Sequence, residues 1–310
     1  MGRTHVGFGG WVKDGLGGIA ILLFLLLGGA YLMKWRKYPG LVRSEFNHPV
    51  SVSFFATIII SLLLLPGILF PYSSTLATVI WAVGTVLMAA FSWFVFRRWL
   101  GRQQDPANAL PAWVLPIVGT LDIPVVGARL SFPGVREINL LFFGIGLLFG
   151  IILMTIIIYR LLFFPPLPEA IQPSLMILVG PFALATSAYD SFTGAHDIVL
   201  SVFFYFDLAV VVLLGSKIAL LPVCCPFRVT WWAVSFPLVA FTIAAFRYSA
   251  RVPEKLFQLV PGSLLVLSTG VILFLLVQSL YKLFTHQLFL PNPAAEKATR
   301  LLEPATKPLP

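Results

Sequence analysis

TWWAVSFPLVAFTIAAFRY, residues Thr230 to Tyr248, is the stretch from which the chain can be read. It is apolar enough to lie in a bilayer, yet Pro237 sits in its interior. A proline inside a helix removes a backbone donor, and its ring clashes with the preceding turn, so the helix bends. Carbonyls freed by a bend cannot face hydrocarbon and need protein or water around them. Ser235 and Thr242 bring hydroxyls close to the break, and Phe236 directly precedes the proline. We read this span as one stave of a solute pathway, with Phe236 placed to plug it. The plainer alternative is a packed helix with a tolerated kink, since proline is common in membrane helices.

The same pattern recurs upstream. Crossing the hydrocarbon core takes about 20 residues. By that measure the 310-residue chain holds nine spans, near 16–34, 51–70, 76–96, 113–130, 137–163, 173–190, 197–221, 230–248 and 259–284. The second, fourth, sixth and eighth carry the kink prolines Pro66, Pro124, Pro181 and Pro237, and the others have none in their cores. These prolines lie 58, 57 and 56 residues apart. A near-constant period marks an internal repeat, here one kinked span plus one straight span. The expected fold is an all-α polytopic membrane protein built of helical hairpins. Kinked helices form an inner ring around a pore, where protein or water can meet their freed carbonyls, and straight ones form an outer ring.

Three regions follow: a short N-terminal segment (1–15), a transmembrane domain (16–285) and a disordered cytoplasmic tail (286–310) rich in Pro, Ala and charge. One period before Pro66 falls near residue 8, where only Met1 to Gly15, with five glycines, precede the first span. The repeat therefore leads us to expect a first inner helix that is either absent or begins upstream of Met1.

Composition agrees with a membrane protein. The chain is 59% hydrophobic and 11% charged, where soluble domains carry about 25% charged residues. The net charge of +9 does not point to nucleic acid, because the charges fall between the apolar runs. Lys34, Arg36, Lys37 and Arg43 follow the first span, Arg97, Arg98 and Arg102 the third, and Lys217 and Arg228 flank a later connection. Positive loops stay in the cytoplasm, which puts the C-terminus inside and the N-terminus outside. Arg129, Arg136, Arg247 and Arg251 then fall on the outer side, against the pattern. The first span lacks a cleavage site and is retained, not a signal peptide. Cys224 and Cys225 are adjacent, without zinc or CxxC spacing, and read as reduced thiols. There is no Walker loop, HExxH, GxSxG or intramembrane His cluster, so no enzyme, cofactor or metal is expected.

The segments NHPVSVSFFATIIISLLLL (47–65), LPAWVLPIVG (110–119), INLLFFGIGLLFGIILMTIIIYRLLF (138–163), PSLMILVGPFALATSAY (173–189) and WWAVSFPLVAFTIAAFRY (231–248) carry a resemblance. Together they resemble the tellurite-resistance TehA and C4-dicarboxylate transporter family, which includes the slow-type anion channels of plant guard cells. The resemblance implies ten helices in five hairpins around a quasi-fivefold pore, often in trimers. Of those ten, this chain presents nine and lacks the first. The resemblance also implies a plugging phenylalanine at the FP position, here Phe236. The expected function is transport of small anions through a pore gated by Phe236, as a passive channel or uniporter. The alternatives are a proton-coupled carrier of C4-dicarboxylates, sulfite or tellurite-type oxyanions, and a nonconducting scaffold or sensor. Expected partners are the bilayer of the cell (inner) membrane, the anion and two further copies in a homotrimer.

The inner spans also carry small hydroxyl residues: Ser53, Thr57, Ser61, Thr120, Thr186, Ser187, Ser235 and Thr242. Hydroxyls can donate to an anion without holding it as a fixed charge would. They can equally bond back to their own helix or a neighbour. Asp122, two residues before Pro124, is an intramembrane acid and so a possible proton site; a structural pair with Arg129 is the plainer reading. Asp207, on an outer span, is expected to pack against a neighbour, and His48, before Pro49 at a helix start, to be a cap or loop residue rather than a metal ligand. Gly146 and Gly150 form a GxxxG that suits close helix packing.

Overall fold

The computed structural model describes residues 8–219, 225–252 and 255–285, and every regular element in them is helical. The tail expected to be disordered, 286–310, lies outside the described residues. The long elements are α1 (Phe8–Lys37), α2 (Pro39–Asn47), α3 (Ser51–Leu69) and α4 (Ser74–Leu100). They continue with α5 (Leu115–Val118), α6 (Asp122–Gly127), α7 (Val135–Phe163), α8 (Gly180–Thr193), α9 (Ile198–Ala219), α10 (Ser235–Ser249) and α11 (Lys255–Phe284). Among the described residues, eight helical stretches are long and apolar enough to cross a membrane, and Pro111–Gly127 is a shorter apolar one. The chain is an all-α, multi-pass membrane protein.

The hairpin repeat is physical. Each proline-bearing span packs on the straight helix that follows it: α3 on α4, α6 on α7, α8 on α9, and α10 on α11. Glycine permits one of these contacts. A Cβ at Gly146 of α7 would sit 2.6 Å from Thr120 Oγ1 and 2.7 Å from Leu121, so the GxxxG face lies directly on the second inner span.

Burial separates the two kinds of span. In the span 169–193, 78% of the most apolar window is buried, against 6% in α1. The contrast narrows to 39% for α3 against 33% for α4 and α7. The reason is that the inner spans form an arc rather than a closed ring. α3 packs on the second inner span, the second on the third, and the third on the fourth. Between the fourth and α3 no comparable packing exists among the described residues. Phe54, Thr57, Ile58 and Ser61 of α3 are accordingly exposed.

The prolines act in two different ways. Pro124, Pro181 and Pro237 fall in the first turn of α6, α8 and α10, where the backbone N–H has no intrahelical acceptor to lose. Each is preceded by a 3-10 stretch: Gly119–Leu121, Glu169–Val179 and Val229–Val234. The bend is therefore a change of helix type just before the proline. Pro66 instead lies in the last turn of α3.

Four expectations need correction. α1 begins at Phe8 rather than near residue 16, because glycine is compatible with a membrane helix. The fourth span is fractured into alternating 3-10 and α turns instead of forming one kinked helix. The last outer helix carries Pro261 in its interior, since it starts at Lys255 and runs through it. Cys225 is disulfide-bonded, not a free thiol.

Candidate functional site: the cavity between the inner spans

All four inner spans converge on one cavity of about 550 Å³. α3 contributes Val50 at its start, then Phe54, Thr57, Ser61 and Leu64. The second inner span contributes Leu115, Val118, Gly119 and Asp122; the third Ser174, Ile177, Gly180 and Pro181; the fourth Thr230, Trp232, Ala233, Phe236 and Pro237. The lining runs along most of α3, from Val50 to Leu64, and in the other three spans it takes in the residues around the helix-type switch, reaching Asp122, Leu184 and Pro237.

Phe236 lines this cavity beside Pro237. It is partly buried and packs against both hydrophobic clusters of the protein. One cluster is centred on the third and fourth inner spans, and the other on α3, α4 and α6. The ring thus bridges the two halves of the arc. Phe241, five residues on, is different: it is fully buried and stacks on Phe204 at 5.8 Å.

The hydroxyls divide by position. Thr57 and Ser61 line the cavity; Ser53, Thr120, Thr186, Ser235 and Thr242 do not. Ser53 is fully buried and its hydroxyl has no partner among the described residues. Thr120 donates to the carbonyls of Ile117 and Phe142, Thr186 to Phe182, and Ser235 to Trp232, all backbone carbonyls. Thr242 donates to the Leu238 carbonyl and meets the Ser268 hydroxyl at 3.2 Å. Ser187 is buried and also lies off the cavity. Two lining hydroxyls escaped the sequence reading, Ser174 and Thr230. They lie 56 residues apart, so the proline period itself pointed to them.

Asp122 lines the cavity and is fully buried. The expected pair with Arg129 does not form; neither carboxylate oxygen has a hydrogen-bond partner among the described residues. Asp207 is equally buried and unpartnered, but sits on α9 away from the cavity. No group of His, Cys, Asp and Glu that could hold a metal occurs among the described residues.

Beyond the bend the staves are tied by charge. Asp190 at the end of α8 accepts from Arg247 at 3.1 Å and from Arg251 at 2.8 Å, and Arg247 also donates to Ser191. Nearby, the Tyr189 hydroxyl donates to Asp197 at 2.7 Å, and Asp197 also accepts the Leu200 N–H. These bonds hold the Asp197 carboxyl below its usual range, the Leu200 N–H contributing most. At the start of α3, His48 Nδ1 accepts the N–H groups of Val50 and Ser51 at 3.3 and 3.2 Å, which makes it a cap.

A profile of the voltage-dependent anion channel family matches residues 9–280. The S-type anion channel SLAH3 of Arabidopsis thaliana is 27% identical over 92% of this chain and 45% of its own length. The tellurite resistance protein TehA homolog of Haemophilus influenzae is 28% identical over 90% of this chain and 84% of its own. An uncharacterized transporter of Methanocaldococcus jannaschii is 27% identical over 70% of each. The chain thus spans about half the length of the plant relatives it matches.

Proposed function

This chain belongs to the voltage-dependent anion channel family, and from that premise we propose that it passes small anions through the cavity between its inner spans, with Phe236 as the closing side chain. The family is one of channels and transporters. One observation carries the reading: all four proline-bearing spans line a single cavity, and Phe236 is among its lining residues. An aromatic ring across a narrow apolar passage closes it by dewetting, without a charge.

Passive movement, as in a channel or uniporter, is favoured by a lining that is mostly apolar and, among the described residues, free of Lys, Arg and His. The unpartnered carboxyl of Asp122 favours a second reading, a proton-coupled carrier of organic or oxyacid anions. Chloride efflux from proteoliposomes, with and without a pH gradient, separates them. Downhill flux indifferent to the gradient supports the passive reading, and gradient-driven uptake supports the coupled one. Absence of flux under both conditions leaves a scaffold or sensor and sinks the transport proposal.

The proposal includes orientation and assembly. The connections with Lys34, Arg97 and Arg102 face the cytoplasm of the cell (inner) membrane, and the C-terminus lies on that side. The homotrimer implied by the resemblance is part of the same proposal, and the mass of the purified particle in detergent tests it.

A further inference from the structure

The side-chain donors that line the cavity already serve the protein. Thr57 donates to the Phe54 carbonyl at 2.7 Å and Ser61 to the Thr57 carbonyl at 2.8 Å. Ser174 donates to the Ile171 carbonyl and Thr230 to the Ala170 carbonyl, each at 2.6 Å. The Trp232 indole N–H donates to Ser279 Oγ at 2.9 Å. An anion entering the cavity therefore meets hydroxyls turned away from it, and no basic side chain lines the wall. Asp122 is the exception: the residue lines the same space, and its two buried carboxyl oxygens have no hydrogen-bond partner among the described residues.

α6 packs against α3, α4, α7 and α8. None of these elements sends a charged group to the carboxyl. The ion pairs among the described residues are Lys34 with Glu45 and Asp190 with Arg247 and Arg251. An ionised carboxylate buried without cation or donor is prohibitively unfavourable, and such a group takes a proton instead. Ionised, it would also repel the anion that the cavity is proposed to carry.

We propose that Asp122 stands as the neutral carboxylic acid and that its O–H is the cavity's hydrogen-bond donor to the transported anion. A neutral donor binds an anion without the grip of a fixed charge, and conduction needs sites that are occupied and then left. The inference rests on the reading of the cavity as the anion path. It assigns the point in the cavity at which the anion gains a donor that no protein carbonyl already holds.

The test uses the full chain in proteoliposomes, with chloride as probe, and two variants of similar size. Asp122→Asn keeps an N–H donor and cannot ionise; its chloride efflux should stay within about threefold of wild type. Asp122→Leu has no donor; its efflux should fall by about tenfold. Infrared spectroscopy supplies a readout independent of flux. The difference between wild type and Asp122→Asn should contain a protonated-carboxyl band that shifts when chloride is added. Asp207 is present in both proteins and cancels from the difference. Wild-type efflux from Asp122→Leu, or loss of efflux in a folded Asp122→Asn, would overturn the assignment, as would absence of the carboxyl band. A band that shifts with chloride in a protein that carries no flux would sink the transport reading alone and leave the donor site standing.

Discussion

His48 shows how much one side chain decides at the start of α3. Its ring accepts the N–H of Val50, which precedes α3, and that of Ser51, its first residue, and Val50 lines the cavity. Arg98 reaches from α4 to the carbonyls of Phe46 and Asn47, closing the end of α2 just before it. Burial, and then the nearby Arg98 guanidinium, hold His48 below its ordinary value near 6.5. A histidine whose folded value is depressed binds fewer protons folded than unfolded, so its contribution is complete above about 6.5 and is lost as pH falls below it. Thermal stability in detergent should drop between pH 7.5 and pH 5.5 by up to about 1 kcal/mol, the worth of a helix cap. In His48→Asn, which can cap but does not titrate, that drop should disappear; an unchanged drop would place the pH sensitivity elsewhere. The capping role was legible because His48 precedes Pro49 at a helix start. The fate of Asp122 was not, because sequence spacing placed Arg129 within reach and could not reveal that the residue lines a cavity.

Helices in this protein are shaped by where proline and glycine fall. Pro124, Pro181 and Pro237 open α6, α8 and α10, so each bend stores no lost hydrogen bond and adjoins the cavity lining. The period of the prolines was readable; the 3-10 turns before them were not, since apolar spacing does not distinguish helix types over three or four residues. Pro66 kept the period but fell in the last turn of α3, so α3 is continuous along the cavity. Gly146 decides a contact between elements. A valine there would drive a methyl group into Thr120 and Leu121, both buried. Overpacking of this kind costs about 1–3 kcal/mol. Gly146→Val should therefore lower the melting temperature of the purified protein, whereas Gly144→Val, where an added Cβ meets nothing within 4 Å, should leave it unchanged. Equal melting of both variants would show that α7 does not rest on the second inner span through this face.

At the scale of the whole molecule, four staves form an arc around one cavity, and basic residues follow α1 and α4. Arg247 and Arg251 run against the proposed orientation, and both are paired with the single carboxylate of Asp190 at the end of α8, which offsets one of their two charges. The sequence contained both partners; only the fold shows that they meet across more than fifty residues of chain. The proposed orientation rests on the basic connections after α1 and α4. A cysteine placed at position 305 by Ala305→Cys should resist an impermeant reagent applied to intact cells, and labelling from outside would reverse the topology. The central claim is that the cavity is the path and Phe236 its closure. Its most direct test is chloride efflux from proteoliposomes holding equal amounts of folded wild type, Phe236→Ala and Phe241→Ala. Phe241 is core, and losing it costs about 3–5 kcal/mol in packing without opening the cavity. The account predicts efflux from Phe236→Ala well above wild type and no gain from Phe241→Ala; unchanged or reduced efflux from a folded Phe236→Ala would contradict it.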